Sequence, residues 1–243
     1  MTRHTPASRL IFDIAREQGG FFTSRQAREA GFRDSVHPYH VRAGNWVREH
    51  RGIYRLAQFP LPECPDLMLW QLWSPNRDGQ TQGVYSHATA PALYELSDVM
   101  PAKLDMTVPP GFQRMATTPD ALHLHRSRLN ATDIVTIAGV RVTTPLRTLS
   151  DVVAEGSLAQ EHQVQAVEGA IRRGLVQRQH LATTAVSTRV RQRINRVLKQ
   201  VPDEWIIGLK NVLDDVVTAF EQVSAIPSTL DYYTLYRDRK SVV

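Results

Sequence analysis

The residues that could do chemistry in this 243-residue sequence are few and stand apart from one another. His123 and His125 are two positions apart in a segment that alternates like a β-strand, so both side chains lie on one face, where a metal ion could bind. No cysteine or carboxylate near them in the sequence completes a recognisable metal site. Ser86 and His87 are adjacent, whereas a nucleophile and its base must converge in space with a third, orienting group. We therefore predict neither a metal nor a catalytic site and interpret Ser86 as a helix cap.

A nuclease half-motif near the end of the sequence provides the enzyme hypothesis. Asp238-Arg239-Lys240 is an acid-x-lysine triplet of the kind that holds Mg²⁺ in many nucleases, and Asp231 is the candidate partner carboxylate. The segment from residue 201 onwards is too short for the mixed sheet of such an enzyme, and the triplet lies where order is least expected. We expect no catalysis and no cofactor.

Arginines dominate the first quarter of the sequence. Residues 1–56 contain ten arginines, no lysine and five acidic residues, so this segment carries +5, which equals the formal net charge of the whole chain. Basic charge concentrated in this way is the electrostatic signature of a phosphate-binding surface. An ordinary solvated basic face is the alternative.

The elements that must position these arginines form a winged helix-turn-helix pattern between Gly20 and Leu56. A supporting first helix is indicated by Leu10, Ile11, Ile14 and Ala15, which recur at helical spacing. Thr23 followed by Gln26 is a capping-box signature. The helix that it opens is expected to end at Ala30, before Gly31, with Ala27 and Ala30 inward and Arg25 and Arg28 outward.

The next helix is predicted from about Asp34 to Ala43, with Tyr39 and Arg42 on its outer half. Pro38 is tolerated only in a first turn, so the regular helix starts as late as His37 or Pro38. The run from Trp46 to Leu56 then offers two short β-prone segments around a turn, as a wing requires, with Arg51 at the tip.

These segments resemble the N-terminal domain of AbiEi-type antitoxins, transcriptional regulators of bacterial type IV toxin–antitoxin systems. The resemblance runs from Gly19 to about Val176. It is carried by Gly31-Phe32, Tyr39-His40-Val41-Arg42-Ala43-Gly44-Asn45-Trp46-Val47-Arg48, Arg51-Gly52-Ile53-Tyr54-Arg55-Leu56, Leu72-Trp73-Ser74, Tyr85-Ser86-His87, Tyr94-Glu95-Leu96-Ser97-Asp98, Met100-Pro101, Met106-Thr107-Val108-Pro109, Leu124-His125 and Val142-Thr143-Thr144-Pro145-Leu146-Arg147-Thr148-Leu149. It implies a protein that represses its own operon and counteracts a nucleotidyltransferase-like toxin, contacted directly or indirectly. Pro91 departs from the family pattern and requires that its helix begin near Thr89.

The resemblance also implies which residues contact DNA. On the second helix of the motif and the wing they are Tyr39, Arg42, Asn45, Arg48, Arg51 and Arg55. Arg42 and its helix neighbours would enter the major groove, while Arg25, Arg28 and the wing arginines contact phosphates.

Beyond a proline-rich connector at residues 58–65, the patterns predict a mixed α+β domain. A helix is expected over Asp66 to Trp73, and strands are expected over Leu104 to Val108, Ala121 to His125 and Ile134 to Thr143, the last broken into a hairpin at Gly139. Two helices follow, one capped by Thr144 and Pro145 and ending before Gly156, the other from about Ser157 to Arg173.

The last part of the chain carries two helical patterns. A candidate second basic patch lies on a helix whose other face is apolar, and its arginines are Arg189, Arg191, Arg193 and Arg196. A solvated helix is the alternative reading of that charge. An apolar stripe then runs from Trp205 to Phe220, and it packs on its own domain or receives a second copy or a toxin.

Together, these features predict an α+β protein in four segments: a winged helix-turn-helix at residues 1–57, the connector at 58–65, the mixed domain at 66–200 and a helical tail at 201–243. Double-stranded DNA of its own promoter is the expected partner, and an oligomer is compatible with the sequence. The sequence has neither a membrane-spanning run nor a signal peptide, and its single cysteine, Cys64, fits a reducing compartment, so we expect a cytoplasmic protein. The competing hypothesis is a protein-interaction module that needs no DNA.

Overall fold

The computed structural model describes residues 5–99, 101–114, 116–184, 187–202 and 212–219. The chain has an α+β fold, with a three-stranded sheet near its start, a five-stranded sheet in its middle and helices after it, which confirms the predicted fold class. Asp231, Asp238 and Lys240 lie outside the described residues, as does most of the stripe that begins at Trp205. Its described portion, residues 212–219, is an exposed helical segment.

The first part of the chain folds as the winged helix-turn-helix that the sequence predicts. Its elements are α1 (Pro6–Glu17), β1 (Phe21–Thr23), α2 (Ser24–Glu29), a 3₁₀ turn (Asp34–Val36), α3 (His37–Arg42), β2 (Trp46–His50) and β3 (Ile53–Leu56). The Thr23–Gln26 capping box is formed, and Ala27 and Ala30 are buried as expected. The regular helix begins at His37, because Pro38 occupies its first turn.

Two details of this part differ from the predictions. β1 was not anticipated, and it pairs antiparallel with β3 to make a sheet of order β1-β3-β2. Leu10, predicted to face the core, is 46% exposed, because the buried face of α1 is narrow and centres on Ile11 and Ala15.

The second part contains the five strands of the larger sheet and the helices before, between and after them. They are α4 (Pro65–Trp73), β4 (Val84–Tyr85), α5 (Thr89–Leu93), β5 (Leu104–Val108), β6 (Leu122–Arg126), β7 (Ile134–Ile137), β8 (Val140–Thr143), α6 (Pro145–Glu155), α7 (Gln160–Arg172), α8 (Arg178–Thr184) and α9 (Thr188–Leu198). The sheet order is β6-β5-β4-β8-β7, with parallel β5–β6 and β4–β8 pairs and antiparallel β4–β5 and β7–β8 pairs.

The three-stranded sheet is covered on both faces. Phe22 and Tyr54 are opposite one another and pack with Ile11 into the core under α1 and α2. Because side chains alternate along a strand, Phe21 and Ile53 point the other way. They pack in the core of the second part, with α4 and the five-stranded sheet. The wing sheet is thus a shared layer between the two parts of the chain.

Helix α4 also holds the hairpin at the edge of the larger sheet. The buried Gln71 amide donates to the Gly139 carbonyl over 3.0 Å and accepts from the Arg141 backbone N–H over 2.5 Å. Gly139 has φ 82°, which confirms the predicted turn between β7 and β8. One glutamine thereby joins the helix to both sides of this turn.

The helices after the sheet bury a separate apolar cluster around Leu149, Val167, Leu181 and Ile194. Helix α6 ends before a left-handed Gly156, as predicted. Helix α7 begins at Gln160 and not at Ser157, because the Leu158 side chain fills a small core with Ala88 and Val152. Within the described residues, no helix is both long and apolar enough to cross a membrane.

Candidate functional site

Helix α3 is held from beneath by aromatic contacts and presents its other half to solvent. The buried His37 ring lies within 3.3 Å of the Phe32 carbonyl, and the His40 ring stacks on Trp46 with centroids 4.6 Å apart. Burial is the main cause that lowers the pKa of His40, and the nearby His37 lowers it further. A lower pKa favours the neutral form of this ring. Tyr39 is 61% exposed and Arg42 is exposed, as the helical wheel predicts.

The wing continues this surface. Arg48 pairs with Tyr54 across the strands and shares the face of β2 that carries Trp46, the residue on which α3 rests. Arg51 stands in the turn between the strands and is exposed, and Gly52 has the positive φ of 76° that this turn requires. The exposed Asn45 joins α3 to β2, and its backbone N–H donates to the His40 carbonyl over 3.0 Å.

Ion pairs divide the arginines of this part into two groups. Arg25 donates to Glu29 over 2.9 Å and to the Arg77 carbonyl over 2.7 Å. Arg28 donates to Asp34 over 3.1 Å. These two side chains are exposed, as predicted, but each already has a carboxylate partner.

Arg55 differs most from its expected role. Its side chain is only 14% exposed and donates to Glu49 over 2.7 Å and to the Phe59 carbonyl over 3.0 Å. The cause is strand alternation, which turns Arg55 to the face that carries Phe21, toward the second part of the chain. We therefore remove Arg55 from the candidate interface.

The second group of arginines lacks a counter-charge within the part of the chain that the structure describes. Among the residues that the structure describes, no ion-pair or hydrogen-bond partner contacts the guanidinium groups of Arg42, Arg48 and Arg51, and the same holds for Arg9 and Arg33. The positive charge of the first quarter is therefore concentrated on the surface formed by α3 and the wing, together with Arg9 and Arg33. With Tyr39 and Asn45, the residues Arg42, Arg48 and Arg51 form what we call the α3–wing surface.

The predicted second basic patch is smaller than expected. Arg189, Arg191 and Arg196 are exposed on α9. Arg193 is half-buried and donates to the Ala154 carbonyl in the last turn of α6, so it serves the packing of α9 against α6.

A cluster of histidines and carboxylates lies in the second part of the chain. The parallel pairing of β5 with β6 places Asp105 beside His123 and Thr107 beside His125. His125 Nε2 lies 2.7 Å from Asp105 Oδ1, and His123 Nδ1 lies 2.9 Å from the same oxygen. The expectation that no carboxylate accompanies the two histidines is wrong, because Asp105 comes from a neighbouring strand that is distant in sequence.

The cluster extends toward α6 and the turn before α5. Glu155 Oε2 lies 3.4 Å from His125 Nδ1 and 3.1 Å from His87 Nε2. The His87 and His125 rings stack with centroids 3.6 Å apart and an angle of 10° between their planes. Neither Asp105 nor Glu155 has a sequence motif around it, so only the pairing of strands and the end of α6 reveal them.

Ser86 belongs to this cluster and does not cap a helix. The N-cap of α5 is Ala88, and the buried Ser86 hydroxyl is hydrogen-bonded to Thr107 Oγ1 over 2.7 Å and to His87 Nδ1 over 2.9 Å. The helix itself begins at Thr89, as Pro91 requires. Ser86 therefore orients His87, whose backbone has a positive φ of 47°, a conformation uncommon for a side chain of this kind.

The charges in the cluster follow from these contacts. Burial opposes ionisation of Asp105, but hydrogen bonds from His125 and His123 outweigh it, and the pKa of that carboxyl lies below its ordinary value. Burial likewise disfavours the charged form of His125, yet the bond to Asp105 and the charge of Glu155 raise its pKa. Burial and the neighbouring His125 lower the pKa of His87. The pKa values of the two stacked rings are thus shifted in opposite directions.

Comparison with known proteins gives information about the fold alone. No protein-family model matches the chain, and no curated protein matches it. Among solved structures, the chain is similar to the crystal structure of the RV2827C protein from Mycobacterium tuberculosis, with a TM-score of 0.53 and 18% sequence identity over 79% of this chain and 76% of that one. The likeness covers most of both chains and supports the α+β architecture described above.

Proposed function

We propose that this protein is a DNA-binding transcriptional regulator. The observation that carries the proposal is the α3–wing surface, where Arg42, Arg48 and Arg51 are exposed and meet no counter-charge from any described residue, while other arginines of the same motif are paired. Phosphates of a duplex are the counter-charge that such a surface lacks. Unpaired arginines on the second helix and the wing of a helix-turn-helix motif are the arrangement expected for a DNA contact.

The geometry suggests how each residue contributes. Tyr39 and Arg42 lie on the outer half of α3, the helix that enters the major groove in this class of motif, so they are the candidates for contacts to base edges. Arg48 and Arg51 lie on the wing and hold phosphates, which sets the register of the protein on the duplex. Arg28 remains available at the rim, although its ion pair with Asp34 must compete with any phosphate.

We further propose that the regulator is the antitoxin of a type IV toxin–antitoxin system. This step rests on the resemblance of the sequence to AbiEi-type antitoxins and on the placement of the matching segments in a winged helix followed by an α+β domain. Under this proposal the protein acts in the cytoplasm, represses its own operon and counteracts a nucleotidyltransferase-like toxin. The exposed arginines of α9, Arg189, Arg191 and Arg196, offer a second contact to DNA or to an acidic face of the toxin.

The test is a binding titration of the full chain with the DNA upstream of its own gene and with a shuffled duplex of equal length. We expect tighter binding to the natural sequence and a steep loss of affinity as the salt concentration rises. Absence of binding to either duplex at low ionic strength, where electrostatic attraction is strongest, would overturn the proposal. The antitoxin role is tested by expressing the product of the neighbouring gene with and without this protein. We expect that product to arrest growth when it is expressed alone and this protein to restore growth when the two are expressed together.

A further inference from the structure

The proposed DNA-binding function gives no role to the histidine–carboxylate cluster in the second part of the chain. His123 Nδ1 and His125 Nε2 converge on one oxygen of Asp105, at 2.9 and 2.7 Å. The donor atoms of these three side chains all lie within 4.8 Å of one another. We propose that Asp105, His123 and His125 form a binding site for a single divalent transition-metal ion of the zinc class.

The donor set fits such an ion. Two imidazole nitrogens and one carboxylate oxygen are a common ligand set of zinc sites that keep a fourth position open. Mg²⁺ and Ca²⁺ prefer sites made of oxygen ligands alone, so the two histidines select against them.

The spacing of the ligands is close to what the ion needs. Ligand atoms at about 2.0–2.1 Å from a tetrahedral zinc ion are separated by roughly 3.3 Å. The nitrogen–oxygen distances of 2.7 and 2.9 Å must therefore widen by about half an ångström when the ion replaces the hydrogen bonds. A side-chain rotation of His123, which is 59% exposed, widens the 2.9 Å separation, whereas the 2.7 Å separation requires a small shift of the His125 or Asp105 side chain.

The sheet determines which atoms meet. His123 and His125 share one face of β6, since they are two residues apart, and Asp105 is opposite His123 on the parallel strand β5. The other face of the same strands carries Met106 and Leu124, which pack in the apolar core. The three ligands thus stand on a rigid sheet, which favours a defined coordination geometry.

A second set of contacts orients His125. Its Nδ1 lies 3.4 Å from Glu155 Oε2, which leaves Nε2 directed at Asp105. Glu155 is held in turn by His87 Nε2 at 3.1 Å, and His87 Nδ1 is held by Ser86 at 2.9 Å. A carboxylate on the far nitrogen of a ligand histidine is the arrangement that fixes ring orientation in metal sites and raises the basicity of the ligand.

The site is reachable from solvent. Asp105, His123, His125 and Glu155 line a cleft of about 480 Å³ together with Lys103. The open coordination position would face this cleft and take water or a small anionic ligand. Lys103, a positive charge in the lining of this cleft, opposes metal entry, whereas Asp105 and Glu155 favour it.

Metal titration of the full chain tests the proposal. The protein, stripped with a chelator and carrying Cys64→Ser to exclude its exposed thiol, is titrated calorimetrically with Zn²⁺ and, separately, with Mg²⁺. We expect one equivalent of Zn²⁺ to bind and no heat from Mg²⁺. His123→Ala should weaken zinc binding at least 10-fold, roughly the loss that follows removal of one ligand or its support. His180→Ala, a change at an exposed histidine on α8, should leave binding unchanged.

Two further measurements separate a ligand from a structural residue. Co²⁺ in place of Zn²⁺ should give the visible absorption of a four- or five-coordinate site in the parent protein and in His180→Ala, and lose it in His123→Ala and His123→Asn. Zinc should raise the Tm of the parent protein and not that of His123→Asn. The proposal is overturned if Zn²⁺ does not bind, or if both His123 variants, folded by circular dichroism, bind it like the parent.

Discussion

Arg48 and Arg55 belong to the same two-stranded wing and lie on its opposite faces. Arg48 pairs with Tyr54 and shares the face of Trp46, whereas Arg55 pairs with Val47 and shares the face of Phe21. Arg48 is exposed and has no counter-charge in the described ranges of the chain, whereas the Arg55 guanidinium donates to Glu49 and the Phe59 carbonyl. Two arginines of the same wing therefore have different surroundings, and only Arg48 belongs to the proposed binding surface.

This difference gives a matched pair of variants. Arg48→Ala should weaken DNA binding and leave the Tm nearly unchanged, because the exposed side chain has no partner within the described residues. Arg55→Ala should lower the free energy of unfolding by about 1–3 kcal/mol, since it leaves the half-buried Glu49 carboxylate without its donor. Thermal unfolding and fluorescence anisotropy on the same two proteins make the comparison. If Arg55→Ala weakened DNA binding as much as Arg48→Ala, the division into faces would not describe function.

Arg42 is the candidate for reading a base. Arg42→Ala should reduce affinity for the operator by about 1–3 kcal/mol, which is roughly 5- to 150-fold, and relax specificity at one position of the site. The measurement is a competition between the natural operator and single-base variants. Arg25→Ala is the control, because Arg25 is engaged with Glu29 and the Arg77 carbonyl. An equal loss on every duplex would assign Arg42 to phosphate contact.

Arg51 at the tip of the wing is expected to contact phosphate only. Arg51→Ala should weaken binding to all sequences alike and reduce the slope of log affinity against log salt by about 1, because one fewer counterion is released. Affinities measured over a series of salt concentrations provide this slope. Identical slopes for the parent and the variant would exclude Arg51 from the interface.

The capping box of α2 should contribute to stability in proportion to its hydrogen bonds. Thr23 Oγ1 accepts from the Gln26 backbone N–H over 3.2 Å, and the Gln26 side chain accepts from the Thr23 N–H over 2.8 Å. Thr23→Ala should cost about 1 kcal/mol, a decrease in Tm of roughly 2–4 °C for a chain of this size. Thr118→Ala, at an exposed position in a loop, is the control and should change the Tm little.

Gln71 should be the most sensitive polar residue of α4. Gln71→Leu keeps the volume but leaves the Gly139 carbonyl and the Arg141 N–H without their side-chain partner. The Gly139 carbonyl lies at an exposed turn and the Arg141 N–H is only partly buried, so water compensates part of the loss and the free energy of unfolding should fall by about 1–2 kcal/mol. Chemical denaturation checks this value. A loss below about 0.5 kcal/mol would mean that water replaces the amide at both groups.

The sequence predicted the elements whose signals are local. The capping box at Thr23, the glycine turns at Gly52 and Gly139, and the late start of α3 at His37 all depend on residues within one turn of each other, and the structure confirms them. The three-residue strand β1 was missed because Phe21 and Phe22 pack on opposite sides of a shared sheet, so no alternation of polar and apolar residues marks it.

The candidate sites were less predictable, because their residues come from elements that are far apart in the sequence. That His123 and His125 share a face follows from their spacing, but the partnership with Asp105 depends on parallel pairing between strands that are far apart in the chain. Glu155 joins the cluster only because α6 ends beside it. By contrast, Arg55 was separated from Arg48 by the pairing register of the wing, which sets Arg48 opposite Tyr54 and Arg55 opposite Val47.

The shared sheet has a practical consequence for work with fragments. A protein cut after residue 57 would retain its aromatic core under α1 and α2, yet Phe21 and Ile53 would lose the neighbours that now cover them. Two large apolar side chains side by side on a newly bared surface favour self-association and aggregation. Truncation is therefore a poor way to test the proposed DNA recognition, and point variants of the full chain are the better choice.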